Sequence, residues 1–181
     1  MKDERSSGTA LQVVVMGVSG TGKSTVGAGV ARATGWELVE GDDLHPPANI
    51  AKMEAGDALT DEDRAPWLDE VNARAREHAA AGRSCLLTCS ALRRVYRDRL
   101  RDGVEQMFFL HLAGSFEVLE PRMQARERHF MPTGLLRSQF DTLEELEPDE
   151  DGVRVDVAGT LEEVTTAAVA AVEQRLRSES G

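Results

Sequence analysis

The chain has 181 residues, 41% of them hydrophobic and 29% charged, and its 21 Lys and Arg against 32 Asp and Glu leave a formal net charge of −11. That length and apolar content describe one folded domain and exclude a disordered chain, while the acidity opposes docking on nucleic acid or an anionic lipid surface. No apolar stretch approaches the ~20 residues of a membrane span, and the polar start Met1 to Gly8 lacks the apolar core of a signal peptide, so the cytoplasm is the expected location.

Taken in order, a polar tail runs through about Thr9, and Leu11 to Met16 is a β-branched run that stops at a Gly-rich turn. Ser24 to Ala33 then has helical spacing and ends at Gly35. Glu37 to Glu40 is a short strand candidate, Gly41 to Pro47 a loop, and Asn49 to Ala55 a short helix closed by Gly56. Thr60-Asp61-Glu62-Asp63 has the form of a capping box before a long helix with Trp67, Val71, Ala75 and His78 on its apolar face. Ser84 to Cys89 is a strand. Its Cys85 and Cys89 are too few for a disulfide framework and lack zinc-site partners, so they read as core thiols. Ser90 to Arg101 reads as a basic helix with Arg97, Arg99 and Arg101 on a solvated face, and Met107 to Leu112 as a strand. Phe116 to Arg126 reads as a helix, His129 to Thr133 as a loop, Val153 to Val157 as a last strand, and Thr160 to Glu163 as the cap of a final helix to about Arg177. Apolar strands alternating with helices describe an α/β fold, a parallel sheet covered on both faces.

Gly17-Val18-Ser19-Gly20-Thr21-Gly22-Lys23-Ser24 fits G-x-x-x-x-G-K-[ST] between a predicted strand and a predicted helix. In that setting the backbone N–H groups from Gly17 to Thr25 would cradle phosphates at the positive end of the helix. Lys23 would reach the β- and γ-phosphates of ATP, and the Ser24 hydroxyl would ligate Mg²⁺. The motif alone leaves a kinase, a switch GTPase and a motor open. The chain is too short for a motor's extra modules and carries neither Asp-x-x-Gly nor Asn-Lys-x-Asp, so guanine specificity lacks support. Asp42 and Asp43 lie in a carboxyl-end loop that faces the ligand crevice of a parallel sheet. Arg122, Arg126, Arg128 and His129 precede Met131-Pro132-Thr133-Gly134, where a mobile lid would bring guanidinium charge onto a transferring phosphoryl group.

Together with the phosphate loop, Gly41-Asp42-Asp43-Leu44-His45-Pro46, Asn49 to Met53, Asp61 to Leu68, Cys89 to Leu92 with Tyr96-Arg97-Asp98, and the block from His129 through Gln139 to Glu144 resemble the gluconokinase family from about Val13 to Glu147. The resemblance implies the nucleoside-monophosphate-kinase or shikimate-kinase type of P-loop fold in a single domain with a lid around residues 126–138. It implies phosphorylation of D-gluconate on its 6-hydroxyl by ATP and Mg²⁺, and a homodimer. By it, Asp42 orients and deprotonates the hydroxyl, and His45, Lys52, Arg64, Ser90, Arg94, His129 and Gln139 form the acceptor side. Arg122 and Arg126 are the lid-side cations, Arg126 acting in catalysis beside Lys23. A kinase of the same fold acting on another acceptor such as shikimate, and a nucleotide-binding protein without transfer, remain open.

Overall fold

The computed structural model describes residues 9–125 and 133–179. Five strands, β1 (Gln12–Met16), β2 (Glu37–Glu40), β3 (Cys85–Thr88), β4 (Met107–Ala113) and β5 (Gly152–Asp156), pair in parallel in the order β2-β3-β1-β4-β5. The helices are α1 (Lys23–Thr34), α2 (Pro47–Glu54), α3 (Asp61–Ala80), α4 (Arg94–Arg101), α5 (Phe116–Gln124), α6 (Thr133–Thr142) and α7 (Leu161–Glu179), and a 3₁₀ turn spans Gly41–Leu44.

Alternation along the strands divides the core in two, because successive side chains leave opposite faces of a sheet. Val13 and Val15 of β1 meet Val26 and Val30 of α1 and Val164, Ala168 and Val172 of α7. Val14 and Met16 meet Trp67, Leu68, Val71 and Ala75 of α3 and Tyr96 and Leu100 of α4. Both faces of β1 are fully buried, so from Val13 to Met16 it reads as an unbroken apolar run. Cys85 and Cys89 lie in the second core, where burial pushes each thiol up to about 12.

The caps follow the sequence. Asp63 N–H donates to Thr60 Oγ1 at 3.2 Å and Thr60 N–H to Asp63 Oδ2 at 2.8 Å. Thr160 and Glu163 repeat the exchange at the start of α7, at 3.2 and 2.7 Å. Gly35 closes α1 at φ 74°.

Three elements depart from the sequence reading. The basic helix begins at Arg94 rather than Ser90, because Ala91 sits at φ 46° and Arg93 is extended at φ −109° and ψ 150°, leaving residues 90–93 as a loop at the sheet's carboxyl edge. Residues 133–142 form α6, where only a loop was expected to 133. Leu136, Phe140 and Leu143 recur at helical spacing and pack on the first core. Arg97, expected on a solvated face, is completely buried. Its Nε and Nη2 donate to Glu150 at 2.7 and 3.0 Å, and its remaining hydrogens reach the carbonyls of Ala91, Leu92, Glu144 and Glu145. A guanidinium has five N–H donors in a rigid fork, and here the bends before α4 and after α6 supply carbonyls to match. Arg97 therefore ties the loop before α4 to the segment after α6.

Burial alone would raise the Glu150 carboxyl, but Arg97 and the Glu147 backbone outweigh it and hold it below the usual range. The carboxylate's contribution to stability is therefore complete above about pH 4.5, its unperturbed value, and fades as pH falls through the lower native value. Glu150→Ala leaves Arg97 charged and buried without its partner, and urea unfolding at pH 7 should show a loss of about 3–5 kcal/mol. Glu150→Gln should also lose stability at pH 7 but show a shallower acid limb than the parent. Equal acid limbs would mean that Glu150 titrates normally in the native state.

Candidate active site

A cleft of about 230 Å³ opens at the carboxyl edge of the sheet. It is lined by Ser19, Gly20 and Gly22 to Thr25 of the loop and helix after β1, Asp42 and His45 after β2, Ser90 and Leu92 after β3, Arg64 and Trp67 of α3, and Leu135 and Gln139 of α6. Loops at the carboxyl ends of parallel strands converge there because every strand points the same way.

The phosphate loop is preformed. Gly20 and Gly22 take φ of 85° and 88°, the left-handed region that glycine enters without a Cβ clash, and Gly22 is the N-cap of α1. Thr21 Oγ1 donates to the Val18 carbonyl at 3.0 Å, and Lys23 Nζ lies over the loop, donating to the Gly17 and Val18 carbonyls at 3.0 and 3.1 Å. Ser19 N–H donates to Gln139 Oε1 at 2.7 Å, which joins α6 to the loop.

Across the cleft, Gly41 has no room for a side chain, since a Cβ would overlap the Thr88 carbonyl oxygen. Its N–H donates to Thr88 Oγ1 at 3.1 Å and its carbonyl accepts from Trp67 Nε1 at 2.8 Å. Asp42 follows directly, presenting a carboxylate to the cleft from a turn that is anchored on two sides. Thr88 Oγ1 in turn donates to Glu40 Oε2 at 2.7 Å, and Ser24 Oγ donates to the same oxygen at 3.0 Å. Glu40 was read only as the end of a strand. Its position one residue from the Gly41-Asp42 turn was the available signal. Among the described residues no cluster of three or more His, Cys, Asp or Glu could form a metal cage. The Ser24 hydroxyl and Glu40 carboxylate are hard oxygen donors beside a phosphate cradle. They fit Mg²⁺, which keeps several waters and takes its other ligands from phosphate.

Arg64 is held from behind. Its Nη1 donates to the Leu59 carbonyl at 2.5 Å and to Tyr96 Oη at 3.2 Å, and its guanidinium carbon lies 5.3 Å from the Tyr96 ring centroid. The Tyr96 hydroxyl donates to Asp61, which holds the Asp61 carboxyl below its usual range, aided by Arg93. Trp67 and Tyr96 are buried, and each also holds a cleft element in place.

Several expected acceptor-side residues stand elsewhere. Arg94 does not line the cleft. Its guanidinium meets Asp98 at 3.0 Å, Glu147 at 2.8 Å and Asp149 at 2.9 Å. Its neighbour in sequence, Arg93, meets Asp61 at 2.8 Å and Glu144 at 3.4 Å. Lys52 does not line the cleft and stands in a 2.6 Å ion pair with Asp63, which with the Thr60 backbone brings the Asp63 carboxyl down to about 2. Arg122 Nη2 is 3.5 Å from the Gly159 carbonyl. Arg126, Arg128, His129 and most of the expected lid lie outside the described residues. No described helix is long and apolar enough to cross a membrane.

The sequence matches the family model of an AAA domain over residues 13–146. The gluconokinase of Gluconobacter oxydans is 52% identical over 143 residues, 79% of this chain and 80% of that protein. The thermosensitive gluconokinase of Escherichia coli is 41% identical over 93% of this chain and 92% of that one. The crystal structure of a sugar kinase from Janibacter superposes with a TM-score of 0.87 at 50% identity, covering 91% of this chain and 95% of that one. A preformed phosphate loop facing Asp42 and Arg64, in a sheet of this order, thus coincides with identity over nearly the whole chain, and the chain belongs to the gluconokinase family.

Proposed function

We propose that this protein transfers the γ-phosphoryl group of ATP to the 6-hydroxyl of D-gluconate, giving 6-phosphogluconate and ADP. The observation that carries the reading is the single cleft in which the phosphate loop faces the Asp42 carboxylate and the Arg64 guanidinium. The names of the relatives supply the acceptor. The loop amides and Lys23 would bind the phosphates, Nζ leaving the Gly17 and Val18 carbonyls to do so. Ser24 and Glu40 would hold Mg²⁺, which when bound offsets the charge of the β- and γ-phosphates.

Asp42 orients the 6-hydroxyl and accepts its proton as the oxygen bonds to the γ-phosphorus and the bond to the ADP oxygen breaks. Arg64 grips the C1 carboxylate with two parallel N–H groups, the geometry that suits a fixed, planar guanidinium. Ser90 and Gln139 line the same space, and Arg122, Arg126 and His129 take the lid side on the strength of the family resemblance. Most transfer chemistry of this kind is positioning, so excluding water is the function of the lid. A homodimer belongs to the same reading and rests on that resemblance.

Purified protein with Mg²⁺ and ATP should release ADP with gluconate and not with shikimate or nucleoside monophosphates. Equal turnover across that panel would remove the acceptor assignment, and stoichiometric ATP binding without turnover would favour a binding protein. Asp42→Asn keeps the side-chain volume but loses the proton acceptor, so kcat should fall about 10²–10⁴-fold while calorimetry shows ATP binding unchanged. Loss of nucleotide binding with intact turnover per complex would move the base role to another residue, with Asp43 first. Arg64→Lys retains charge but not the two-pronged contact, and KM for gluconate should rise about tenfold or more with a smaller change in kcat. An unchanged KM would place the carboxylate elsewhere.

A further inference from the structure

The cleft wall behind Asp42 contains a buried polar chain that phosphoryl transfer leaves unused. Asn49 Nδ2 donates to the backbone carbonyl of Asp63 at 2.9 Å and lies 3.3 Å from Nδ1 of His45. Asn49 is 4% exposed and His45 9%. The imidazole stacks on Trp67 with centroids 4.0 Å apart and planes at 17°, so its orientation is set by an aromatic face as well as by the amide.

This arrangement determines where the protons are. A carbonyl oxygen only accepts, so the Asn49 atom facing Asp63 is the amide nitrogen and not the amide oxygen. That nitrogen carries two hydrogens and accepts nothing, so it donates its second hydrogen to His45 Nδ1, which must present a lone pair. The one proton of the neutral ring then sits on Nε2. The ring is neutral because burial, with the Arg64 charge in support and the Asp42 charge opposed, brings it down to about 4. Nε2 makes no hydrogen bond among the described residues, and His45 lines the cleft.

We infer that Asn49 is a positioning residue that holds His45 as a fixed Nε2–H donor to a hydroxyl oxygen of the acceptor. His45 then cannot act as the base, since Nε2 has no lone pair to receive a proton, and proton acceptance falls to Asp42. It also selects for the acceptor, because a molecule lacking that hydroxyl leaves a desolvated N–H unpaired. The inference rests on the gluconate reading for the identity of the acceptor only.

Long-range ¹H–¹⁵N NMR of the whole protein near pH 7, with His45 assigned by its loss in His45→Gln, should show a pyridine-type Nδ1 and a pyrrole-type Nε2. An imidazolium, or a proton on Nδ1, overturns the inference. In steady-state assays at a pH where the ring stays neutral, Asn49→Asp puts an acceptor opposite Nδ1, moves the ring's one proton there and leaves Nε2 without one. KM for gluconate should then rise about tenfold with kcat changed less than about threefold. His45→Gln, which keeps an N–H donor at the same reach, should stay within about threefold of the parent KM, whereas His45→Leu should match Asn49→Asp. In a His45→Leu background Asn49→Asp should add nothing. An undiminished Asn49→Asp effect there, or a Gln variant as poor as Leu, would show that Asn49 supports the fold and not the ring. Should the parent protein fail to phosphorylate gluconate, the acceptor assignment falls and the NMR result still decides the proton.

Discussion

The geometry of the cleft depends on how closely the chain leaving β2 passes β3. At Gly41 the backbone runs so near the Thr88 carbonyl that any side chain would collide with it, and the peptide is bonded on both edges, to Thr88 Oγ1 and to Trp67 Nε1. From that point three consequences run outward. The next residue is Asp42, whose carboxylate is carried on a backbone that cannot drift. The same Thr88 hydroxyl passes its own hydrogen to Glu40, whose carboxylate also receives Ser24, so the first turn of α1 is tied to the end of β2. Trp67, fixed by the Gly41 carbonyl, offers its face to His45. A displacement of 1 Å is costly where groups must be aligned, and here one glycine, through Thr88 and Trp67, ties together Asp42, Glu40, Ser24 and His45 around the cleft.

Arginine has different roles in different parts of this acidic chain. Arg97 is buried with every hydrogen engaged and joins the loop before α4, which borders the cleft, to the segment after α6. Arg94 and Arg93 are partly exposed and tied to carboxylates at the rim, where ion pairs contribute little each. Arg64 alone among these reaches the cleft, with its back supported by Tyr96. Charge in the sequence therefore says little about which arginine meets a ligand. What separates them is the depth of the surrounding carbonyls and carboxylates.

The parts of the fold written in local patterns are legible in the sequence. These include the strand runs, the phosphate loop, both capping boxes and the turn carrying Asp42, because each depends on residues close in sequence. Arg64, His45 and Ser90, which the family resemblance puts on the acceptor side, stand together in the lining of the cleft. The burial of Arg97 is not legible in a local pattern, since it depends on carbonyls 47 and 48 residues away. Arg94 was assigned to the acceptor side although Glu147 and Asp149, far along the chain, engage it. Helix α6 was obscured by Gly134, a turn residue in isolation that stands in the helix's first turn. Glu40 was hidden by its strand, whose end is the place where a side chain can turn toward the site.

The two cysteines are the only thiols in the chain, and both are fully enclosed in the core beneath α3 and α4. With the thiolate suppressed and the sulfur shielded from solvent, an alkylating reagent finds nothing to attack until that core opens. Trapping kinetics with a fast reagent would thus count openings of this half of the molecule. The protein carries a built-in clock for its own excursions from the native state, readable by mass spectrometry without an added label site.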